Sequence, residues 1–207
     1  MDCDPIARWY RWLEYIGFGR ALERRRNAFL NDVSDARRVL LLGEGDGRFL
    51  ARLVPTIFRR PGAAIDYLDL SNRMLEIART RAGQQVHYVQ GNALTIPLRD
   101  AEYDLIVTHF FLDCFNQSNA EALVSKIAAA SKPDARWLIS EFRDRNWWTH
   151  LTIAALYLFF RITTGLETRR LIDHHPLLRQ NGFMLEKSES ARAGLLVSEL
   201  WQKTSEP

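Results

Sequence analysis

The sequence predicts an α/β protein: a doubly wound, mostly parallel sheet with helices on both faces, an antiparallel strand at the C-terminal end and a helical lid at the N-terminus. Three observations carry this expectation. Val39-Leu40-Leu41-Leu42 is a fully apolar run that stops at Gly43, as a buried parallel strand does. Gly43, Gly45 and Gly47 then make a tight loop, and residues 48–60 place Phe49, Leu50, Leu53, Ile57 and Phe58 at helical spacing. Residues 64–68 form a second apolar strand that ends in Asp69. Strand, glycine loop, helix and strand with a terminal carboxylate make one βαβ unit of Rossmann-like form, which holds a nucleoside-like ligand over its strand ends.

The remaining elements follow from capping and period. Before the first strand, Ile6, Trp9, Tyr10, Leu13 and Ile16 fall on one helical face; Gly17 and Gly19 interrupt, and residues 21–30 resume as a basic helix. After the βαβ unit, Ser71 is placed to cap a helix over residues 72–81 that Gly83 ends. Residues 86–89 and 103–108 read as the third and fourth strands, 119–131 as a helix with Leu123, Ile127 and Ala130 inward, and 136–142 as the fifth strand. Residues 143–165 are unusually aromatic, with Trp147, Trp148, Tyr157, Phe159 and Phe160. A short helix over 171–180, stopped by Asn181-Gly182, precedes a closing antiparallel pair over 183–187 and 195–202. The expected organisation is a single domain over 1–207: an N-terminal helical cap (1–36), a cofactor-binding core (37–142), and an aromatic helical insertion with closing strands (143–207).

The charges around the glycine loop point to a class of ligand. A dinucleotide fingerprint has glycines at G-x-G-x-x-G and rests a pyrophosphate on the helix N-terminus. Here the third glycine position is Arg48, and Glu44 and Asp46 stand where phosphates would lie. Like-charge repulsion there works against a nicotinamide dinucleotide. S-adenosylmethionine suits the site better: a ribose diol for Asp69, no phosphate, and a sulfonium and an ammonium group for an acidic loop. The alternative for Glu44 and Asp46 is that they only satisfy amides at the helix N-terminus; it leaves the strand-final Asp69 unexplained.

These residues resemble the class I S-adenosylmethionine-dependent methyltransferases. Residues 39–47 (VLLLGEGDG) look like the family's first motif, and Asp69-Leu70-Ser71 with Met74-Leu75 and Ala78 resembles its D-x-S-x-x-M-L-x-x-A signature. Gln90-Gly91-Asn92-Ala93 with Ile96-Pro97-Leu98 is similar to the G-D-A-x-x-L-P-F stretch of small-molecule members, and residues 103–107 resemble the fourth-strand motif. The resemblance covers residues 38–142. It implies that Gly43, Glu44, Gly45, Gly47, Asp69, Leu70, Met74, Asn92, Ala93 and His109 contact the cofactor. Two positions depart from the pattern. Leu41 stands where the family often has an acidic residue, and Asn92 where it has an aspartate; an amide oxygen still accepts from an adenine amino group. The opening stretch Asp4-Pro5-Ile6-Ala7-x-x-Tyr10, then Phe18-Gly19 and Arg24-Arg25, resembles the quinone-biosynthesis C-methyltransferases, except that Arg11 follows the tyrosine where they have an aspartate.

Composition narrows the partners. The net charge of +3, spread over scattered arginine pairs, is too small to imply nucleic acid. Thr108-His109-Phe110-Phe111 lacks the N/D-P-P-Y/F motif of enzymes that methylate bases, which argues the same way. Cys3 and Cys114 have neither the number nor the spacing for a metal site or a disulfide framework; two unpaired thiols fit the cytoplasm, and no metal is expected. The longest apolar run, residues 151–160, is half what spans a bilayer.

Methyl transfer from a sulfonium is an in-line displacement in which the protein chiefly aligns the reactants away from water. A general base is needed only for a hydroxyl or an acidic carbon. His109 and Asp113, beside the fourth strand's end, are the catalytic candidates, and His109 alternatively contacts backbone. His174 and His175 read as surface residues at a helix start. Tyr10, Tyr15, Phe110, Trp147 and His150 are substrate candidates, the aromatic segment forming either an apolar wall for a hydrophobic acceptor or ordinary packing. Trp147-Trp148 before an apolar helix also suits peripheral contact with a membrane surface. The expected function is methylation of a small apolar or amphiphilic acceptor, quinone- or lipid-like. The alternative is a non-catalytic S-adenosylmethionine-binding sensor or scaffold. The acceptor, the methylated atom and the oligomeric state are left open.

Overall fold

The computed structural model describes residues 20–144, Thr149 and residues 171–204. In chain order the elements are α1 (Ala21–Arg26), β1 (Arg38–Leu42), α2 (Arg48–Ile57), β2 (Ala64–Asp69), α3 (Asn72–Ala82), β3 (His87–Gln90), β4 (Tyr103–His109), a 3-10 turn (Leu112–Cys114), α4 (Gln117–Ala130), β5 (Ser131–Phe142), α5 (His174–Gln180), β6 (Phe183–Ala191) and β7 (Leu196–Lys203). Seven strands form one sheet in the order β3-β2-β1-β4-β5-β7-β6. The pairs among β1 to β5 are parallel, whereas β7 runs antiparallel to both β5 and β6. The expected fold class is the one observed.

Alternation along the central strands builds a core on each face. Val39, Leu41, Ile65, Tyr67, Leu105 and Val107 point to one side, where Phe49, Leu50 and Leu53 of α2 and Leu75 and Ala78 of α3 cover them. Leu40, Leu42, Ile106, Trp137, Ile139 and Trp201 point to the other, under Leu123, Val124 and Ile127 of α4 and Leu177 and Leu178 of α5. Leu41 is fully buried in the first core.

Local chemistry sets the boundaries. Ser71 caps α3 by accepting the Met74 amide at 3.1 Å, and Asn116 caps α4 through the Asn119 amide at 2.9 Å. The helix α2 ends three residues earlier than its periodicity predicts, because Pro55 removes a donor from its last turn. In contrast, β5 begins at Ser131 rather than 136. Pro133 and Asp134 (φ +61°) are carried in its first residues, beside a register shift against Tyr103 and Leu105. Of the expected N-terminal lid, only residues from 20 onward are described; α1 packs on β5, β6 and β7. Most of the aromatic segment lies outside the described residues.

Successive strands run outward from β1 through β2 to β3 and from β4 to β5, so the order reverses between β1 and β4. In open sheets of this kind ligands bind at that switch point, beyond the carboxyl ends of the strands. Gly43 follows β1 and His109 ends β4, so both lie there.

Candidate cofactor site at the strand ends

The glycine loop has a closed side and an open side. Gly43, Gly45 and Gly47 all have positive φ (59°, 80° and 76°), which L side chains rarely adopt. A Cβ at Gly43 would lie 2.2 Å from the Phe111 ring, and one at Gly47 would lie 2.6 Å from the Ala78 backbone. Gly43 thus admits Phe111, and Gly47 admits the close approach of α2 to α3. At Gly45 a Cβ would meet nothing within 4 Å, so this is where the loop faces open space.

Asp69 closes the far side of that opening. Its Oδ1 accepts the Ser71 amide at 2.9 Å, and its Oδ2 is 3.3 Å from the Tyr67 hydroxyl. The same hydroxyl donates to the Gly45 carbonyl at 2.5 Å, so Tyr67 ties the loop to the carboxylate. Burial raises the Asp69 carboxyl to about 6 despite these donors. Leu70, the next residue, is 44% exposed, an apolar surface beside the carboxylate. Met74 is buried at the start of α3.

The third wall is the turn after β3. Asn92 Oδ1 accepts the Leu94 amide at 3.0 Å, and Ala93 is buried. Lys126 of α4 donates to the carbonyls of Ala93 (2.8 Å), Leu94 (3.1 Å) and Ile96. That ammonium fixes a turn whose carbonyls would otherwise point unpaired into the molecule.

The two acidic loop residues have different roles. Asp46 is held by Arg48 (2.8 Å) and Arg81 (2.8 Å), which keep its carboxyl below the usual range although burial opposes ionisation. It is a structural ion pair. Glu44 is buried; its Oε1 accepts the Phe49 amide at 3.1 Å at the start of α2, and its Oε2 has no partner. Burial raises this carboxyl to about 7, with Arg26 opposing the rise and Asp46 adding to it. The helix-amide explanation therefore accounts for one oxygen of Glu44 and leaves the other.

The catalytic candidates do not share a hydrogen bond. His109 is buried, packed edge-on against Phe49 (4.7 Å between centroids), and neither ring nitrogen has a partner. Burial, and Arg26 beside it, hold its pKa well below the ordinary value, so the ring is neutral. Phe110 follows with φ +53° and packs tilted against Phe142, with 4.9 Å between ring centroids. Asp113 pairs with Glu141 of β5 as two buried carboxyls sharing a proton; Asp113 rises to about 6 and Glu141 well above its ordinary range, in both cases chiefly through burial. Glu141 Oε1 also accepts the Phe111 (3.0 Å) and Leu112 (2.8 Å) amides, pinning the turn after β4. Tyr10, Tyr15, Trp147 and His150 lie outside the described residues.

His174 corrects the sequence expectation: it is buried, not on the surface. It lies 2.9 Å from Glu199 of β7, and His175 lies 2.8 Å from the same carboxylate. Two imidazoles and a carboxylate are a metal-ligand set by type. However, Arg143 (2.5 Å) and the Trp201 indole (3.0 Å) also donate to Glu199, so its lone pairs are filled by protein donors. Those donors hold the Glu199 carboxyl at about 2 against the cost of burial. A buried carboxylate with this many donors is explained without an ion.

Comparison with known proteins agrees with this geometry. A family model described as a methyltransferase domain matches residues 39–134, the stretch from β1 to the start of β5. The matched stretch is thus similar to a methyltransferase domain. Among curated proteins, the domain is similar to the ubiquinone/menaquinone biosynthesis C-methyltransferase of Vibrio vulnificus (30% identical over 129 residues, 58% of this chain and 48% of that protein). It is also similar to the demethylmenaquinone methyltransferase of Thermus thermophilus (29% identical over 131 residues, 61% of this chain and 57% of that protein). The chain spans about half the length of the curated relatives it matches. Among solved structures, the 1,6-didemethyltoxoflavin-N1-methyltransferase of Burkholderia thailandensis shares the fold with a TM-score of 0.68 at 19% identity, over 96% of this chain and 85% of that one.

The residues present fit the cofactor of such a domain. The Gly45 opening admits a ligand, Asp69 at the end of β2 offers acceptors to a ribose diol, and the unpartnered Glu44 Oε2 offers one to a cationic group. Among the described residues, no helix is long and apolar enough to cross a membrane. Sequence reading missed Tyr67, Lys126, Arg26 and Glu141. Only Tyr67 had a local signal, its place two residues before Asp69 on the same strand face.

Proposed function

We propose that this protein is an S-adenosylmethionine-dependent methyltransferase acting on a small apolar or amphiphilic acceptor, quinone- or lipid-like. The observation that carries the reading is the pair of carboxyls, Glu44 buried and Asp69 half-buried, on either side of an open glycine turn. Asp69 is held by Tyr67 and Ser71, and Glu44 keeps one oxygen without a partner. A pyrophosphate would meet both negative charges, whereas a cationic adenosyl donor meets complementary ones. Gly43, Gly45 and Gly47 shape the cradle; Leu70, Asn92 and Ala93 face the base, with Met74 behind them.

S-adenosylmethionine supplies an electrophilic methyl group on a sulfonium. This chain's residues align and desolvate. Phe110, Phe111 and Phe142 present apolar surface at the ends of β4 and β5, which favours a hydrophobic acceptor and excludes water. His109, neutral with both nitrogens unpartnered, is a hydrogen-bonding contact at this end and too weak a base to carry a proton far. Asp113, whose carboxyl lies near neutrality beside Glu141, is the better proton acceptor if the acceptor atom must be deprotonated. The similar proteins, a ubiquinone/menaquinone biosynthesis C-methyltransferase and a demethylmenaquinone methyltransferase, support a quinone-like acceptor.

The reading is tested by incubating the protein with methyl-labelled S-adenosylmethionine and demethylated quinone or lipid extracts. Label appearing in the organic phase with S-adenosylhomocysteine in the aqueous phase is expected. Cofactor binding with no transfer to any such acceptor would instead favour a sensor or scaffold.

A further inference from the structure

Glu199 gathers two parts of the chain that lie far apart in sequence. Arg143 follows directly on β5, and His174 and His175 open α5; all three reach this one carboxylate on β7. Glu199 is fully buried, whereas the Arg143 side chain is 39% exposed. The guanidinium is therefore fastened at one nitrogen and open at the others. Its Nη2 lies 2.5 Å from Glu199 Oε1 and 2.9 Å from His175 Nε2. The Arg143 amide donates to the Leu195 carbonyl at 2.8 Å, which fixes the root of the side chain as well. Nε and Nη1 carry the remaining N–H groups and have no hydrogen-bond partner among the described residues. A surface arginine ordinarily keeps its rotamer freedom. This one has already lost it, so a ligand on its outer edge is spared that ordering cost.

The place of Arg143 in the sheet decides what that edge can meet. On the donor reading above, the nucleoside lies over β2 and the turn after β3, on one side of the switch point. The methyl group and its acceptor then belong on the other side, over the ends of β4 and β5. Arg143 is the first residue beyond β5, whose Ser140 pairs with His109 at the end of β4. Phe142, just before it, packs against Phe110, so the cation borders the apolar surface at those strand ends. Glu199 offsets the charge of Arg143 and leaves its outer donors, so the edge recognises a partner through directed hydrogen bonds. A rigid donor edge that never deprotonates, bordered by rings, suits an oxygen anion on an otherwise apolar molecule. In a quinone-like acceptor that oxygen is an ionised ring hydroxyl.

We propose that Arg143 is a specificity-determining residue for the methyl acceptor, its outward guanidinium edge binding an ionised hydroxyl on the acceptor's ring. The assignment rests on the methyltransferase reading and narrows it: molecules with an acidic ring hydroxyl are taken, and their ethers are refused. Glu199 and His175 become positioning residues, which act through Arg143.

Calorimetry on the full chain loaded with S-adenosylhomocysteine tests this with two probes of one scaffold. They are 2-hydroxy-1,4-naphthoquinone, an enolate at neutral pH, and 2-methoxy-1,4-naphthoquinone, its neutral ether. The wild-type protein is expected to bind the enolate about ten- to a hundredfold more tightly than the ether. Arg143→Met is expected to abolish that preference with S-adenosylhomocysteine affinity unchanged. Arg143→Lys keeps a cation for Glu199, which protects the fold if Arg143→Met is unstable, and is expected to lose most of the preference because the fork is gone. Trp201→Phe removes a different donor from Glu199 and is expected to keep the preference. A preference that survives in a folded Arg143 variant, or a wild type that binds both probes equally or neither, would overturn the assignment. The donor reading would stand, because S-adenosylhomocysteine still binds. A wild type that binds no S-adenosylhomocysteine would instead remove the donor reading, and the assignment with it.

Discussion

The Tyr67 hydroxyl sits between the Gly45 carbonyl (2.5 Å) and Asp69 Oδ2 (3.3 Å), joining the loop after β1 to the carboxylate that ends β2. One phenol therefore sets the width of the opening. Asp69→Ala is expected to weaken binding of S-adenosylhomocysteine about ten- to a hundredfold with the fold intact, since charge-assisted bonds to a diol are lost. Tyr67→Phe keeps the ring in its core position and removes only the hydroxyl, so a smaller loss of a few-fold is expected. Calorimetry on both variants, with circular dichroism for the fold, checks the order of the two effects.

The glycines separate packing from ligand space. A Cβ at Gly47 meets Ala78 backbone at 2.6 Å with φ at +76°, so Gly47→Ala combines strain with a clash between helices. A loss of about 2–4 kcal/mol in urea unfolding is expected. Gly45→Ala has the strain and no clash, so it is expected to cost about 1–2 kcal/mol of stability and to impair cofactor binding more than Gly47→Ala does. Equal effects on stability would mean the loop is not open at Gly45.

The buried carboxyls give the cofactor-free protein a pH signature. Glu44 is raised from 4.5 to about 7 and Glu141 well above its ordinary range, so in the folded state both hold protons that the unfolded chain releases. Stability then falls as pH rises through that window. Asp69 and Asp113, raised to about 6, act the same way lower down. His109 acts oppositely: its depressed pKa stabilises the fold above 6.5 and costs stability below it. Glu199 and Asp46, both depressed, lose their contribution only in acid. Between pH 6.5 and about 8 the raised carboxyls dominate, so the melting temperature is expected to drop across this range and Glu44→Gln to flatten the drop. Thermal scans at several pH values check this.

Glu141 holds the turn after β4 through the Phe111 and Leu112 amides. Glu141→Gln keeps an acceptor for those amides and, because its amide still donates to Asp113 as the protonated Glu141 does, is expected to leave the Asp113 carboxyl little changed. Glu141→Ala leaves two buried amides unpaired and is expected to cost about 2–4 kcal/mol. Carboxyl titration by NMR and denaturant unfolding distinguish the two variants.

The βαβ unit, the cap of α3 and the closing antiparallel pair were legible because each is written locally, in apolar runs, in Ser71 and in the glycines. Asp69 was legible for the same reason. Arg26, Lys126, Glu141 and Glu199 were not, since each acts on a partner that only the sheet order brings near: Lys126 on the turn 93–96, Glu141 on the turn after β4. His174 illustrates the difference. At a helix start it reads as a surface residue, and it is buried because Glu199, two strands away in the sheet from β4, draws both histidines inward. Asp46 shows the reverse, an acidic loop residue whose charge is consumed by Arg48 and Arg81.

Competition calorimetry between S-adenosylmethionine and NAD tests the central claim most directly. An acidic, open-sided loop predicts that the full chain binds S-adenosylmethionine and its demethylated product and that NAD fails to displace them. Tight binding of NAD, with no heat from either adenosyl compound, would contradict the account.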